Sequence, residues 1–143
     1  MLDTDSVIDL GGNGFTSSQI ASTLSNRIQQ LILLPTERCN FRCTYCYEDF
    51  ALGRMSKDTQ SGIERFIAAR VPDLTSLQLS WFGGEPLAAK DIVLRIASFA
   101  DRLCKAHDVN FSGGLTTNAY FLEKPLLEEL LSVRQNFFQI TLD

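Results

Sequence analysis

The sequence predicts an α/β fold built on parallel strands, and three observations carry that expectation. Short apolar segments alternate with longer segments of helical periodicity, three times over, before a last strand closes the series. The first apolar segment, Leu31-Ile32-Leu33-Leu34, is a continuous run stopped by Pro35, the pattern of a strand buried in a parallel sheet. Every cluster of unusual residues falls just after a strand, the edge at which parallel α/β folds gather their ligand-binding loops.

Taken in order, residues 1–29 read as a separate lead-in, with GGNG at 11–14 as a flexible turn and SSQIASTLSNRIQQ as a short helix opened by Ser17 or Ser18. A first strand at 31–34 leads into a long loop. Ser56 then caps a helix over 57–70, with Ile63, Phe66 and Ile67 on one face and Pro72 beyond its end. A second strand at 77–82 runs directly into GGEP. A helix over 90–106 follows, anchored by Ile92, Leu94, Ile96, Phe99 and Leu103. A third strand near 109–116 ends in TTNA. The helix at 124–132 carries Pro125 in its first turn, and a fourth strand covers 137–142. Four parallel strands with right-handed crossovers fit either an open doubly wound sheet or part of a barrel.

The composition narrows the functional classes. With 143 residues, 45% hydrophobic and 21% charged, the chain is long enough for one domain with a real core. A net charge of −4 and no Lys/Arg stripe argue against an electrostatic nucleic-acid footprint. No apolar run approaches the roughly 20 residues of a membrane span. The acidic start, MLDTDSVIDLGGNGF, has neither the basic nor the apolar region of a signal peptide. The expected location is the cytoplasm, where thiols stay reduced and closely spaced cysteines favour metals over disulfides.

Three of the four cysteines, Cys39, Cys43 and Cys46, lie within CNFRCTYC. A structural zinc would need a fourth ligand, and only Cys104 or His107 on the second helix is available; there a Cys reads as a small hydrophobe and a His as a helix-end surface residue. A cubane iron–sulfur cluster held by three thiolates instead keeps one iron open for another ligand, as open positions do in catalytic metal sites.

The spacing Cys39-x3-Cys43-x2-Cys46, with Tyr45 just before the third cysteine, resembles the signature of the radical S-adenosylmethionine (radical SAM) superfamily. GGEP at 83–86 and TTNA at 116–119 resemble that superfamily's next two motifs, in order and in position, so the resemblance covers residues 30–143. It implies a partial (β/α) barrel with about four of the usual six strands, residues 30–143 being the amino-terminal part of the core domain and the chain either a fragment of a longer enzyme or a truncated gene product.

It further implies a [4Fe–4S] cluster on Cys39, Cys43 and Cys46, with S-adenosylmethionine (SAM) bound to the open iron. Reduction of that pair cleaves the C5′–S bond, and the resulting 5′-deoxyadenosyl radical takes a hydrogen atom from the substrate. By the same resemblance Tyr45 lies near the adenine. Gly83, Gly84 and Glu85 line the methionine end, where glycines let backbone approach a ligand, and Pro86 stiffens their loop. Asn118 lies near the SAM pocket, Thr141 touches SAM, and Asp143 is the candidate catalytic residue facing the substrate. Ala119 stands where the family more often has Gly. Arg38 and Arg42 flank the cysteines, either simply solvated or set to tune the cluster and meet an acidic donor. Tyr47, Glu48 and Asp49 receive no role.

CYED after the cysteines, GGEPL and the closing ITLD most resemble the peptide- and protein-modifying branch, the sulfatase-maturase-like enzymes of SPASM type. That implies a peptide or protein substrate and a reductant such as flavodoxin or ferredoxin. A cyclase of the molybdenum-cofactor type is the alternative within the superfamily. A non-catalytic iron–sulfur or zinc-binding module is the alternative outside enzymes.

Overall fold

The computed structural model describes residues 7–8 and 15–141. GGNG at 11–14 and Asp143 lie outside the described residues. A two-stranded antiparallel ribbon pairs β1 (Val7–Ile8) with β2 (Phe15–Thr16) and leads into α1 (Ser17–Thr23). This helix is shorter than the sequence pattern suggests. Residues beyond Ser25 are drawn instead into β3 (Ile28–Leu33), which pairs over its full length with β4 (Ser76–Trp81).

The main sheet has four parallel strands, β3, β4, β5 (Asn110–Thr117) and β6 (Gln135–Ile140), and their spatial order is the chain order. The crossovers are α2 (Lys57–Arg70), α3 (Lys90–Ala106) and α4 (Lys124–Ser132). Ser56 caps α2 as expected: its hydroxyl accepts from Thr59 N at 3.0 Å. Pro125 occupies the first turn of α4, where no N–H is needed.

Alternate strand residues face the helices and are buried: Leu33; Leu77, Leu79 and Trp81; Phe111, Leu115 and Thr117. The apolar ones pack with Ile67 of α2, Ile92, Val93 and Ile96 of α3, and Leu126 and Leu130 of α4 in one core. Each such side chain contributes about 1.5–3 kcal/mol on burial. Phe66 is the exception to the expected α2 face. It is 45% exposed, because Ile67 and the polar Gln60 take the inward positions. Gln60 is satisfied there, donating to Met55 O at 3.1 Å and accepting from Arg95.

The opposite face of the sheet carries Gln30, Ile32, Gln78, Ser80, Phe82, Thr116, Phe137 and Gln139, and among the described residues no helix covers it: Ile32 and Phe137 stay more than 60% exposed. Strand order equal to chain order, with the core against one face only, is the arrangement of a barrel segment. A doubly wound sheet reverses its order and is covered on both faces. The alternatives left by the sequence pattern thus resolve to part of a parallel barrel.

The fourth strand starts two residues earlier than expected. Gln135 is fully buried, accepts from Trp81 Nε1 at 2.9 Å and donates to Val133 O at 3.1 Å. The pairing shifts register between Gly113 and Gly114, and a Cβ on Gly114 would lie 2.6 Å from Phe137 O. Those two glycines let β6 come close.

Candidate functional site

The loop that follows β3 is closed at its base before it presents any cysteine. Thr36 is buried; its hydroxyl donates to Gly53 O and accepts from Arg38 N, at 3.1 and 3.0 Å. Glu37 N donates to Gly53 O at 2.9 Å, and the Glu37 carboxylate accepts from Leu52 N at 2.7 Å. The loop's far end is tied to α3: Arg54 reaches both carboxylate oxygens of Asp91, at 2.5 and 2.7 Å. That hydrogen-bonded guanidinium holds the Asp91 carboxyl below its ordinary range. Within the loop Arg42 donates to Cys39 O and Phe41 O at 2.8 and 2.7 Å and stacks 4.2 Å from the Phe50 ring. Arg42 is therefore an internal staple of the loop.

The loops after β4 and β5 lace onto this one. Gly84 N donates to Thr36 O at 3.1 Å and Glu85 N to Arg38 O at 2.9 Å. Backbone can come that close only without side chains. Gly83 has φ +104, and a Cβ there would lie 2.8 Å from Thr36 O; one on Gly84 would lie 2.7 Å from Arg38 O. Glu85 is fully buried, with every nearby partner a donor. One carboxylate oxygen accepts from Thr117 Oγ1 at 2.7 Å and Leu87 N at 2.9 Å, the other from Asn118 N at 2.8 Å. A carboxylate with no donor of its own matches three donors well.

These loops enclose a pocket of about 170 Å³ at the carboxyl edge of the sheet. The cysteine loop contributes Cys39, Phe41, Cys43, Tyr45, Cys46 and Tyr47 to its lining. The loop after β4 contributes Phe82, Gly83, Gly84 and Glu85; β5 and its end contribute Thr116, Thr117 and Asn118; Thr141 follows β6. All the site residues expected from the sequence except Asp143 therefore meet at one place. Tyr45 is 70% exposed on the rim. The Tyr47 phenol is pushed above its usual range by local desolvation and by the neighbouring Glu48. Cys39 and Cys43 are half-buried and Cys46 is exposed. Among the described residues no three His, Cys, Asp or Glu side chains converge on a point that would hold a single metal ion.

Sequence reasoning missed Thr117. It is buried, and besides its bond to Glu85 its hydroxyl accepts from Ala119 N at 3.0 Å. The signal was present as the second Thr of TTNA, but its partner lies 32 residues away. Ala119 takes φ 59, a left-handed conformation that explains why a Gly suits that position. His107 ends α3 on the surface, and Cys104 is buried inside that helix, both as expected.

Comparison with known proteins agrees with this geometry. The Radical SAM superfamily model matches residues 33–143. A PqqA peptide cyclase of Gluconobacter oxydans (strain 621H) is 31% identical over 108 residues, covering 76% of this chain and 28% of that protein. A GTP 3′,8-cyclase of Staphylococcus carnosus (strain TM300) is 36% identical over 115 residues, covering 74% of this chain and 32% of that protein. The chain thus spans about a third or less of the length of these relatives. The crystal structure of BtrN in an open conformation superposes with a TM-score of 0.59 at 19% identity, over 78% of this chain and 48% of that one. A motif series in order, a barrel segment that carries the motifs to one edge, and a family match over residues 33–143 lead to one conclusion: the chain belongs to the radical SAM superfamily.

Proposed function

We propose that this chain holds a [4Fe–4S] cluster on Cys39, Cys43 and Cys46, binds SAM in the adjoining pocket, and serves the radical modification of a peptide or protein. The observation that carries the reading is the shared lining: three thiols, a two-glycine cradle and the Thr-Asn end of β5 face one cavity. The donor set is all sulfur, which suits an iron–sulfur centre. When bound, the cluster and SAM supply one electron and a 5′-deoxyadenosyl radical. The chain's own residues do the rest. Gly83 and Gly84 let the backbone approach the amino-acid end of SAM, Tyr45 and Thr141 bound the adenosine side, and Asn118 closes the wall between them. Asp143 is assigned to face the substrate. Glu85 lines the methionine end and shapes the site through Thr117 and Asn118.

The peptide reading is supported by likeness to a protein named for acting on the PqqA peptide. The second reading, a nucleotide cyclase, is supported by likeness to GTP 3′,8-cyclases, and one experiment separates the two. The natural protein, reconstituted with iron and sulfide without oxygen and reduced, is expected to give an EPR spectrum that changes on adding SAM. It is also expected to form 5′-deoxyadenosine that GTP does not stimulate. A spectrum indifferent to SAM overturns SAM binding by this chain and leaves an iron–sulfur module. GTP-dependent 5′-deoxyadenosine overturns the peptide reading in favour of the cyclase. A flavodoxin or ferredoxin is the proposed electron source, checked by replacing the chemical reductant with either protein.

A further inference from the structure

Asn118 does more than line the pocket. Its side-chain amide is oriented by its surroundings: Oδ1 accepts from Tyr120 N at 3.0 Å, which leaves both N–H donors of Nδ2 pointing back across the site. One goes to Asn40 Oδ1 at 3.0 Å. The other goes to Cys39 Sγ at 3.7 Å, an ordinary length for a bond to sulfur. The same sulfur accepts from Phe41 N at 3.3 Å. Two donors from different loops therefore converge on Cys39.

The partner loops are held in step by one buried group. Glu85 fixes Asn118 through its backbone N–H, and Glu85's own N–H fixes the carbonyl of Arg38, the residue before Cys39. The donor and its sulfur lie 79 residues apart in sequence but share this tie.

Resting on the proposed cluster site, we infer that Asn118 is a positioning residue acting through Cys39. Its amide N–H donates to the Cys39 thiolate and raises the reduction potential of the cluster, with Glu85 holding the Asn118 backbone and Tyr120 N the side-chain oxygen. The physical reason is charge. The reduced cluster carries one more negative charge than the oxidised one, and part of it resides on the ligand sulfurs. A donor aimed at a sulfur stabilises the reduced form more.

The test is a potentiometric titration of the reconstituted natural protein, followed by EPR in the absence of SAM, so that turnover is not the readout. Asn118→Asp keeps the side chain's shape and the acceptor for Tyr120 N but replaces the donor with a negative oxygen. Asn118→Ser keeps a shorter donor. Both midpoints are expected below wild type, with Asp lower than Ser. Iron content at the wild-type level with an unmoved midpoint in both Asn118 variants overturns the inference. So does failure of both variants to take up a cluster while their circular dichroism stays native, because that outcome makes Asn118 an assembly residue. A wild-type protein that binds no cluster at all defeats the functional proposal itself and is read before any variant is made.

Discussion

The two ends of the sheet use the same residue types for opposite purposes. At the carboxyl edge, buried Glu85 accepts from neutral donors and shapes loops whose three thiols stand half-buried or exposed around a pocket. At the amino edge, buried Asp101 meets Lys105 Nζ at 2.5 Å, and Arg134 Nε stands 3.0 Å from its other oxygen, close enough to pair though poorly aligned for a hydrogen bond. Beside it Cys104 is fully buried, and its thiol is pushed up to about 11, first by burial and then by the Asp101 charge. A thiol that stays protonated and covered is inert, whereas an accessible thiol on a loop can become a thiolate ligand. Neither a carboxylate nor a cysteine marks a site by itself. What separates the two edges is whether the surrounding loops leave the sulfur open.

The sharpest way to break this comparison is to count reactive thiols. In cluster-free protein, Cys39, Cys43 and Cys46 are expected to react with a thiol reagent within the mixing time of a manual assay, and Cys104 only after denaturant is added. Mass spectrometry of the labelled peptides identifies them. The same division is expected in iron content. Replacing any one of Cys39, Cys43 or Cys46 by Ala abolishes stable cluster uptake, while Cys104→Ala leaves it at the wild-type level. Rapid labelling of Cys104 in folded protein contradicts the contrast outright.

Next in size is Gly84→Ala. The added methyl meets the backbone of residues 37 and 38, which cannot swing aside as a side chain would. Overpacking of this kind costs about 1–3 kcal/mol, and more where backbone must move. Denaturant melts are expected to show that loss, together with a weakened EPR response to SAM. Glu85→Gln follows. It keeps the volume but sets an amide N–H against donors, so one partner loses its acceptor, at about 1–3 kcal/mol. Asp101→Asn is expected to cost less, because Arg134 and Lys105 are both about half exposed and water can take over their solvation.

The smallest expected effect is on pH dependence. Because the Cys104 thiol ionises at about 11 when folded, against 9.0 for the free group, the folded state binds the proton more tightly across that interval. Its contribution is complete below pH 9.0 and is lost as pH rises through about 11. Cys104→Ala is expected to flatten the fall in stability between those values, measured as the difference between wild type and variant in denaturant melts. Identical slopes would place that proton linkage elsewhere.

Much of this architecture was legible in the sequence where local chemistry decides it. Ser56 as a cap, Pro125 in a first turn, and the spacing of Ile92, Ile96 and Leu103 fixed helices that the structure reproduces. The three cysteines, the two glycines and Asn118 could be placed at one edge because parallel strands put every carboxyl end on the same side. Facts that depend on residues far apart were not legible. The start of β6 rests on Gln135 reaching Trp81, 54 residues away, and a buried Gln has no strand signature. The end of α1 rests on β3 pairing with β4, so a polar segment with helical periodicity became an edge strand. The sequence placed Glu85 at the ligand; only the tertiary structure shows its carboxylate turned toward Thr117 and Asn118.

The uncovered face of the sheet has one more consequence. Its lining side chains are amides, hydroxyls, aromatics and aliphatics, from Gln30 and Gln78 through Ser80 and Thr116 to Phe137 and Gln139, and none of them titrates. A molecule lying against that face meets no acid or base from β3, β4, β5 or β6. Proton traffic over it would have to come from the rim or from the molecule itself. Four strands thus make a floor that can shape what rests on it by polarity and fit, without taking part in its acid–base chemistry.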